Sequence, residues 1–239
     1  MASFFTQLRS EVKELIRYKR LRLRHEQNLP LLRPEFLGVS QGGLALQKLI
    51  DDYDFRTVLD VGSGEGLHSK IFLNLGKDVT AIDYGKSVYA EKMVEDNRLN
   101  IIKGDFNHYD FGRKFDCVWA SHVLEHQTNP NDFLVRVRKL VKDGGVVAIT
   151  VPPFKHEIVG GHVTLWNPGL LMYQMVLAGI DCSQAAVLQY GYNISVITGA
   201  KSIELPELVY DKGDVDRLAR FFPEGTSEPF DGNILKHNW

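Results

Sequence analysis

Short apolar runs bounded by glycine, proline or acidic residues alternate along this chain with stretches whose apolar residues recur every three or four positions. Val58, Leu59 and Val61 form the first run, Asp78–Asp83 the second, 99–104 the third, Phe115–Ser121 the fourth and 146–151 the fifth. Continuous apolar runs of this length predict strands buried on both faces. Helical patterns lie between them. One covers 38–50, entered through Ser40-Gln41-Gly42-Gly43, and one follows the first strand with Leu67, Ile71, Phe72 and Leu75 on its apolar face. A third covers 87–95. Asn129-Pro130 opens a helix carrying Phe133, Leu134, Val137, Leu140 and Val141, and Asn167-Pro168 opens another that Gly179 closes. Residues 182–190 and 193–200 read as an antiparallel pair around Gly191 and Tyr192. This order predicts an α/β fold: a Rossmann-like, doubly wound sheet of seven strands, mostly parallel, with a C-terminal antiparallel hairpin.

The first strand breaks into the turn Val61-Gly62-Ser63-Gly64-Glu65-Gly66. Glycines there let a ligand approach the backbone, and the helix start beyond them offers N–H groups. A dinucleotide site needs G-x-G-x-x-G, whereas these glycines run one residue shorter. Asp60 and Glu65 also stand where a pyrophosphate would come, and carboxylates repel phosphate but attract a sulfonium or ammonium. The expected cofactor therefore lacks phosphates and is cationic, a description S-adenosylmethionine fits. The second strand closes on Asp83, roughly twenty residues after the turn, where Rossmann-type folds place an acid on the ribose hydroxyls.

The spelling Val58-Leu59-Asp60-Val61-Gly62-Ser63-Gly64-Glu65-Gly66 resembles motif I of the class I S-adenosylmethionine-dependent methyltransferases, and the resemblance spans roughly residues 38–200. The run Ser121-His122-Val123-Leu124-Glu125-His126, with Asn129-Pro130 soon after, resembles the segment following strand four in their small-molecule branch. The resemblance implies a cofactor set on four segments: Asp60, Gly62, Ser63, Gly64, Gly66 and His68; Asp83 and Tyr84; Gly104, Asp105 and Phe106; and Ser121 and His122. Asp105 would bond the adenine amino group, and its neighbour would pack on the ring.

Methyl transfer from a sulfonium needs alignment and exclusion of water, and a hydroxyl acceptor must also lose a proton. His122, His126, His156 and His162 lie on the segments after strands four and five, where ligands bind in open α/β sheets. His162 is the first choice as catalytic base, since Gly160-Gly161 before it can let its loop close over a substrate, and His126 is the second. Each also reads as a hydrogen-bonded structural histidine. Glu125 and His126 lack a third ligand at tight spacing, so no metal site is assigned. Val151-Pro152-Pro153-Phe154 is similar to the tetrad of amino-directed nucleic-acid methyltransferases. It lacks the side-chain carbonyl that motif needs at its first position, and it follows strand five rather than strand four.

The chain has 239 residues with net charge −2 and 24% charged residues, so composition points to no nucleic-acid partner. Cys117 and Cys182 lack ligand spacing and imply a reducing, cytoplasmic setting. Three regions are expected: 1–37, a basic helical extension; 38–200, the core domain; and 201–239, an irregular extension packed on it. Within residues 1–24, Arg9, Lys13, Arg17, Lys19, Arg20, Arg22 and Arg24 crowd a helical pattern. It reads either as a cover for the sheet edge or as a peripheral contact with the inner membrane face or an assembly partner. In the last region, Phe221, Phe222, Phe230 and Trp239 imply packing on the body and are candidate walls of an acceptor pocket. The tail pattern Phe221-Phe222-Pro223, Phe230-Asp231-Gly232-Asn233-Ile234 and Asn238-Trp239 looks like that of methyltransferases among surface-polysaccharide biosynthesis proteins. Two function classes remain. One is an O-methyltransferase of a small molecule or glycan acceptor. The other is a binding or scaffold protein that keeps the fold without catalysis. The acids around Gly64 exclude a dehydrogenase. Oligomeric state is not legible.

Overall fold

The computed structural model describes residues 29–39, 41–86 and 96–239. The expected basic helix before residue 29, Ser40, and the expected helix over 87–95 lie outside the described residues.

Among the described residues, eight strands form one sheet: β1 (Thr57–Val61), β2 (Asp78–Asp83), β3 (Asn100–Lys103), β4 (Phe115–Ser121), β5 (Val141–Val151), β6 (Ala186–Tyr190), β7 (Asn193–Gly199) and β8 (Lys236–His237). Their order is β3-β2-β1-β4-β5-β7-β6-β8. The first five pair in parallel, while β7 pairs antiparallel to β5 and to β6. The seven strands expected are all present, including the final hairpin. The eighth, β8, comes from the C-terminal region and extends the edge beside β6.

Side chains of the central strands alternate between two apolar layers, as a period of two dictates. Leu59, Val61, Val118, Ala120, Val147 and Ile149 face helices α3 (Pro130–Leu140) and α4 (Pro168–Leu177). Val58, Cys117, Trp119, Val146 and Ala148 face α1 (Gly43–Asp52) and Phe72 of α2 (Leu67–Asn74). Cys117 and Cys182 are buried free thiols, and no helix among the described residues is long and apolar enough to cross a membrane.

Three expectations change. The face of α2 turned inward carries Ser69 and Phe72, both fully buried, whereas Leu67 and Leu75 are exposed. The helix opened by Asn129-Pro130 stops at Leu140, and Val141 begins β5, whose register against β4 shifts between Phe115 and Cys117. The region 201–239 is not wholly irregular: besides β8 it forms α5 (Asp214–Leu218) and a 3-10 turn, Ala219–Phe221. It is tied to the body where the Gly169 N–H donates to the Gly232 carbonyl at 2.8 Å. Asn167 caps α4 at the same place, its side-chain oxygen accepting from the Leu170 N–H at 2.7 Å, a bond of about 1 kcal/mol. Phe221 and Phe222 are buried in the α3–α4 layer, the Phe230 ring lies tilted against Phe222, and Trp239 lies against Tyr190. These rings pack against the body.

Candidate functional site

In the strand order, the direction in which successive strands are added reverses between β1 and β4, so the crevice at the C-terminal ends of these parallel strands is the topological switch point where such sheets bind ligands. The glycine turn lies there. Gly62, Gly64 and Gly66 all have positive φ, at 70°, 53° and 79°. A Cβ on Gly62 would come within 2.3 Å of Val123 Cγ2, so glycine is required by contact as well as by conformation. The N–H groups of Gly62 and Ser63 donate to the Ile82 carbonyl, that of Gly66 to the Ser63 carbonyl, and that of Gly64 to Asp83 Oδ2 at 3.0 Å. These four donors are spent inside the fold. The turn is thus poorly suited to a phosphate.

Asp83 also accepts from the Gly85 N–H at 2.8 Å through Oδ1, and each oxygen keeps a further lone pair for a ligand hydroxyl. Asp60 lies beneath the turn, 1% exposed, accepting from Ser69 Oγ at 2.5 Å. Burial pushes its carboxyl up to about 6; the Asp83 charge adds to the rise and the Ser69 bond opposes it. Ser63 Oγ and Ser121 Oγ, flanking the crevice from β1 and β4, are buried with no hydrogen-bond partner among the described residues. Two such orphaned hydroxyls fit a polar ligand group better than an apolar one. Residues at the crevice therefore suit a phosphate-free, cationic nucleoside.

Next to it, the exposed Tyr84 hydroxyl donates to Asp105. Asp105 also accepts from the Asn107 N–H at 2.9 Å and bonds His108 Nδ1 at 2.6 Å. Although burial acts to raise it, these bonds hold the Asp105 carboxyl below its ordinary value. His108 was not legible from sequence, since an i+3 partner of a strand-end acid has no signature. Gly104 continues the edge, its N–H donating to the Asp83 carbonyl. Phe106 is 5% exposed against Phe133, ring centroids 4.9 Å apart, so the core leaves it little surface for an adenine ring. His68 has both nitrogens engaged within the protein: Nε2 with the Gln41 carbonyl at 3.0 Å, and Nδ1 accepting from Trp119 Nε1 at 3.2 Å. Burial lowers its pKa to about 4, so it supports the Gln41–Gly42 loop as a neutral ring.

That loop is part of the site. A Cβ on Gly42 would meet Ser121 Oγ at 2.9 Å, and the Gly42 N–H donates to Asn193 Oδ1 at 2.9 Å. The same oxygen lies 3.0 Å from His122 Nε2. His122 has φ 57°, an uncommon conformation for a residue other than glycine. Asn193 was missed because it comes from β7, far along the chain.

After His122 the 3-10 turn Leu124–His126 carries Glu125, fully buried. Its backbone carbonyl accepts from the Val163 N–H at 2.9 Å and the Thr164 N–H at 3.3 Å. The end of the loop after β5 is thereby held against the turn after β4. His162 is brought onto His126, ring centroids 4.9 Å apart and nearly perpendicular. Burial lowers the His162 pKa. His156 meets Phe154 edge-on instead, ring centroids 5.0 Å apart. Of the four histidines, His122, His126 and His162 gather around Glu125. A cavity of about 510 Å³ between Asp143-Gly144 and Thr198–Ser202 lies at the opposite end of the parallel strands, away from the crevice.

Against known proteins, residues 59–149 match a family model described as a methyltransferase domain. Over 105 residues the chain is 32% identical to a ubiquinone biosynthesis O-methyltransferase of Glaesserella parasuis, covering 40% of this chain and 44% of that protein. Over 152 residues it is 29% identical to one from Azorhizobium caulinodans, covering 54% and 60%. The chain thus spans about half the length of these curated relatives. Among solved structures it is similar to the Burkholderia thailandensis 1,6-didemethyltoxoflavin-N1-methyltransferase, with a TM-score of 0.54 at 19% identity, covering 84% of this chain and 90% of that one. The shared fold is that of the class I methyltransferases.

Proposed function

We propose that this chain is an S-adenosylmethionine-dependent methyltransferase acting on a hydroxyl of a polar small molecule or sugar. The observation that carries the reading is the crevice itself: a glycine turn with four of its N–H groups spent internally, between buried Asp60 and Asp83 at the end of β2, with two orphaned serine hydroxyls. When bound, the cofactor would supply an electrophilic methyl group on a sulfonium that leaves as a neutral thioether.

Asp83 would hold the ribose hydroxyls, Ser63 and Ser121 would take polar atoms of the amino-acid portion, and Asp60 would supply negative potential beneath the positive charge. Asp105, with Tyr84, would face the adenine edge. On the other side of β4, the cluster of Glu125, His126 and His162 lies where the acceptor would enter. There its chemistry suits removal of a hydroxyl proton. Oxygen as the methylated atom is supported by the names of the curated relatives, and a sugar by the tail pattern alone. The non-catalytic alternative predicts cofactor binding without turnover. Incubating the protein with methyl-labelled S-adenosylmethionine and a panel of sugars and catechol-like hydroxyl compounds separates the two. Label moving to an acceptor supports the enzyme, and cofactor binding with no transfer to any of them supports the scaffold.

A further inference from the structure

We propose that Glu125, His126 and His162 form a binding site for one divalent transition-metal ion. The site stands on its own geometry; its use in the reaction rests on the methyl-transfer reading above.

Glu125 is fully buried, and among the described residues neither oxygen of its carboxylate has a hydrogen-bond partner. A buried carboxylate without donors is strongly disfavoured unless a positive charge meets it. The two rings beside it offer lone pairs. His126 Nδ1 lies 2.8 Å from the Gly161 carbonyl, which can only accept, so Nδ1 carries the proton. In the neutral ring Nε2 is therefore a bare acceptor, and it lies 3.8 Å from Glu125 Oε1. On the other side, Asn193 Oδ1 is fixed as an acceptor by the Gly42 N–H, so His122 Nε2 donates to it. In neutral His122 this leaves Nδ1 bare, 3.4 Å from the same carboxylate oxygen. The carboxylate thus meets acceptors where it needs a cation.

Ligand atoms of Glu125, His126 and His162 all lie within 4.8 Å of one another. Bonds of roughly 2.1 Å to a tetrahedral ion require separations of about 3.5 Å, so side-chain rotations of about an ångström complete the site. The His126 Nδ1–H to carbonyl bond is the outer support that orients a ligating imidazole. Two imidazoles and one carboxylate select Zn²⁺, Co²⁺ or Fe²⁺ over Mg²⁺ and Ca²⁺. Three protein ligands leave a position open, and the His126 side chain, 44% exposed, marks the solvent side. An acceptor hydroxyl in that position would have a lowered pKa. Its proton would pass to water as its oxygen takes the methyl carbon, while the C–S electron pair stays on sulfur.

The test is a titration of chelator-treated full-length protein with Co²⁺, followed by visible absorption, with Zn²⁺ as competitor and Mg²⁺ as control. The expected result is one equivalent bound with ligand-field bands that Zn²⁺ abolishes, and affinity at least tenfold weaker in both Glu125→Gln and His162→Ala. His162 lies in a loop, so its variant serves where Glu125→Gln does not fold, as circular dichroism would show. Absence of saturable Co²⁺ uptake, or wild-type affinity in His162→Ala, would overturn the site. Melting the same samples with S-adenosylhomocysteine keeps the two readings separate. A cofactor shift without metal uptake sinks the metal site alone, and metal uptake without a cofactor shift sinks the methyltransferase reading alone.

Discussion

The Nδ1–H of His126 donates to the carbonyl of Gly161 at 2.8 Å, and this bond between two loops fixes which nitrogen of the ring faces Glu125. Gly161 is held at φ 83°, and a Cβ there would lie 3.0 Å from His126 Nδ1. Gly161→Ala should cost about 1 kcal/mol in backbone strain, which lowers the melting temperature by about 2–4 °C. It should also turn the ring and weaken whatever Glu125 and His126 bind, while sparing the cofactor crevice. Wild-type melting together with wild-type turnover would show that the bond does not matter.

Gly62→Ala places a methyl group 2.3 Å from Val123 Cγ2 at φ 70°. Either the glycine turn or the segment after β4 must move, and both border the crevice. Affinity for S-adenosylhomocysteine, read by calorimetry, should fall at least tenfold, with a loss of about 1–3 kcal/mol of stability from overpacking.

Asp83→Ala removes the acceptor of the Gly64 and Gly85 N–H groups as well as the ribose partner. A hydrogen bond to a charged group is worth about 1.5–3 kcal/mol, so cofactor binding should weaken about ten- to hundredfold. Unchanged affinity would remove Asp83 from the site.

Asp60 sets a pH dependence. Its carboxyl is raised to about 6 in the folded protein from 3.8, so between these values the folded state holds a proton that the unfolded state has lost. The cost of burying ionised Asp60 is therefore fully present above about pH 6 and is relieved as pH falls toward 3.8. A cation bound above the turn favours the ionised form. Affinity for S-adenosylmethionine should therefore fall as pH drops through 6, with a proton released on binding in that range. Asp60→Asn should flatten the profile, and an equally steep profile in that variant would assign the proton elsewhere.

What could be read from sequence was what is local in the chain. The strand–turn–helix around Gly62 and the His122–His126 run each declare themselves within ten residues, and Asp83 at the end of β2 is marked by its spacing from the glycine turn. What could not be read depends on partners brought by the sheet. His68 resembles a ligand-facing residue in order along the chain, yet Gln41 and Trp119 claim both its nitrogens. Phe106 follows an acid at a strand end, yet Phe133 draws it into the core. Glu125 and His126 looked short of a third ligand because His162 arrives on the loop after the next strand. Leu67 and Leu75 fit a helical period, but the sheet meets the face bearing Ser69 and Phe72. A two-residue strand such as β8 is too short to leave any pattern.

Whether the β1–β4 crevice holds S-adenosylmethionine is read from a thermal melt of the protein. With S-adenosylhomocysteine at about a hundredfold excess over its dissociation constant, the folded state should gain about 2.7 kcal/mol. That corresponds to a rise of about 5–10 °C for a chain of this size, and NAD should give none. A shift with NAD, or none with S-adenosylhomocysteine, would contradict that assignment.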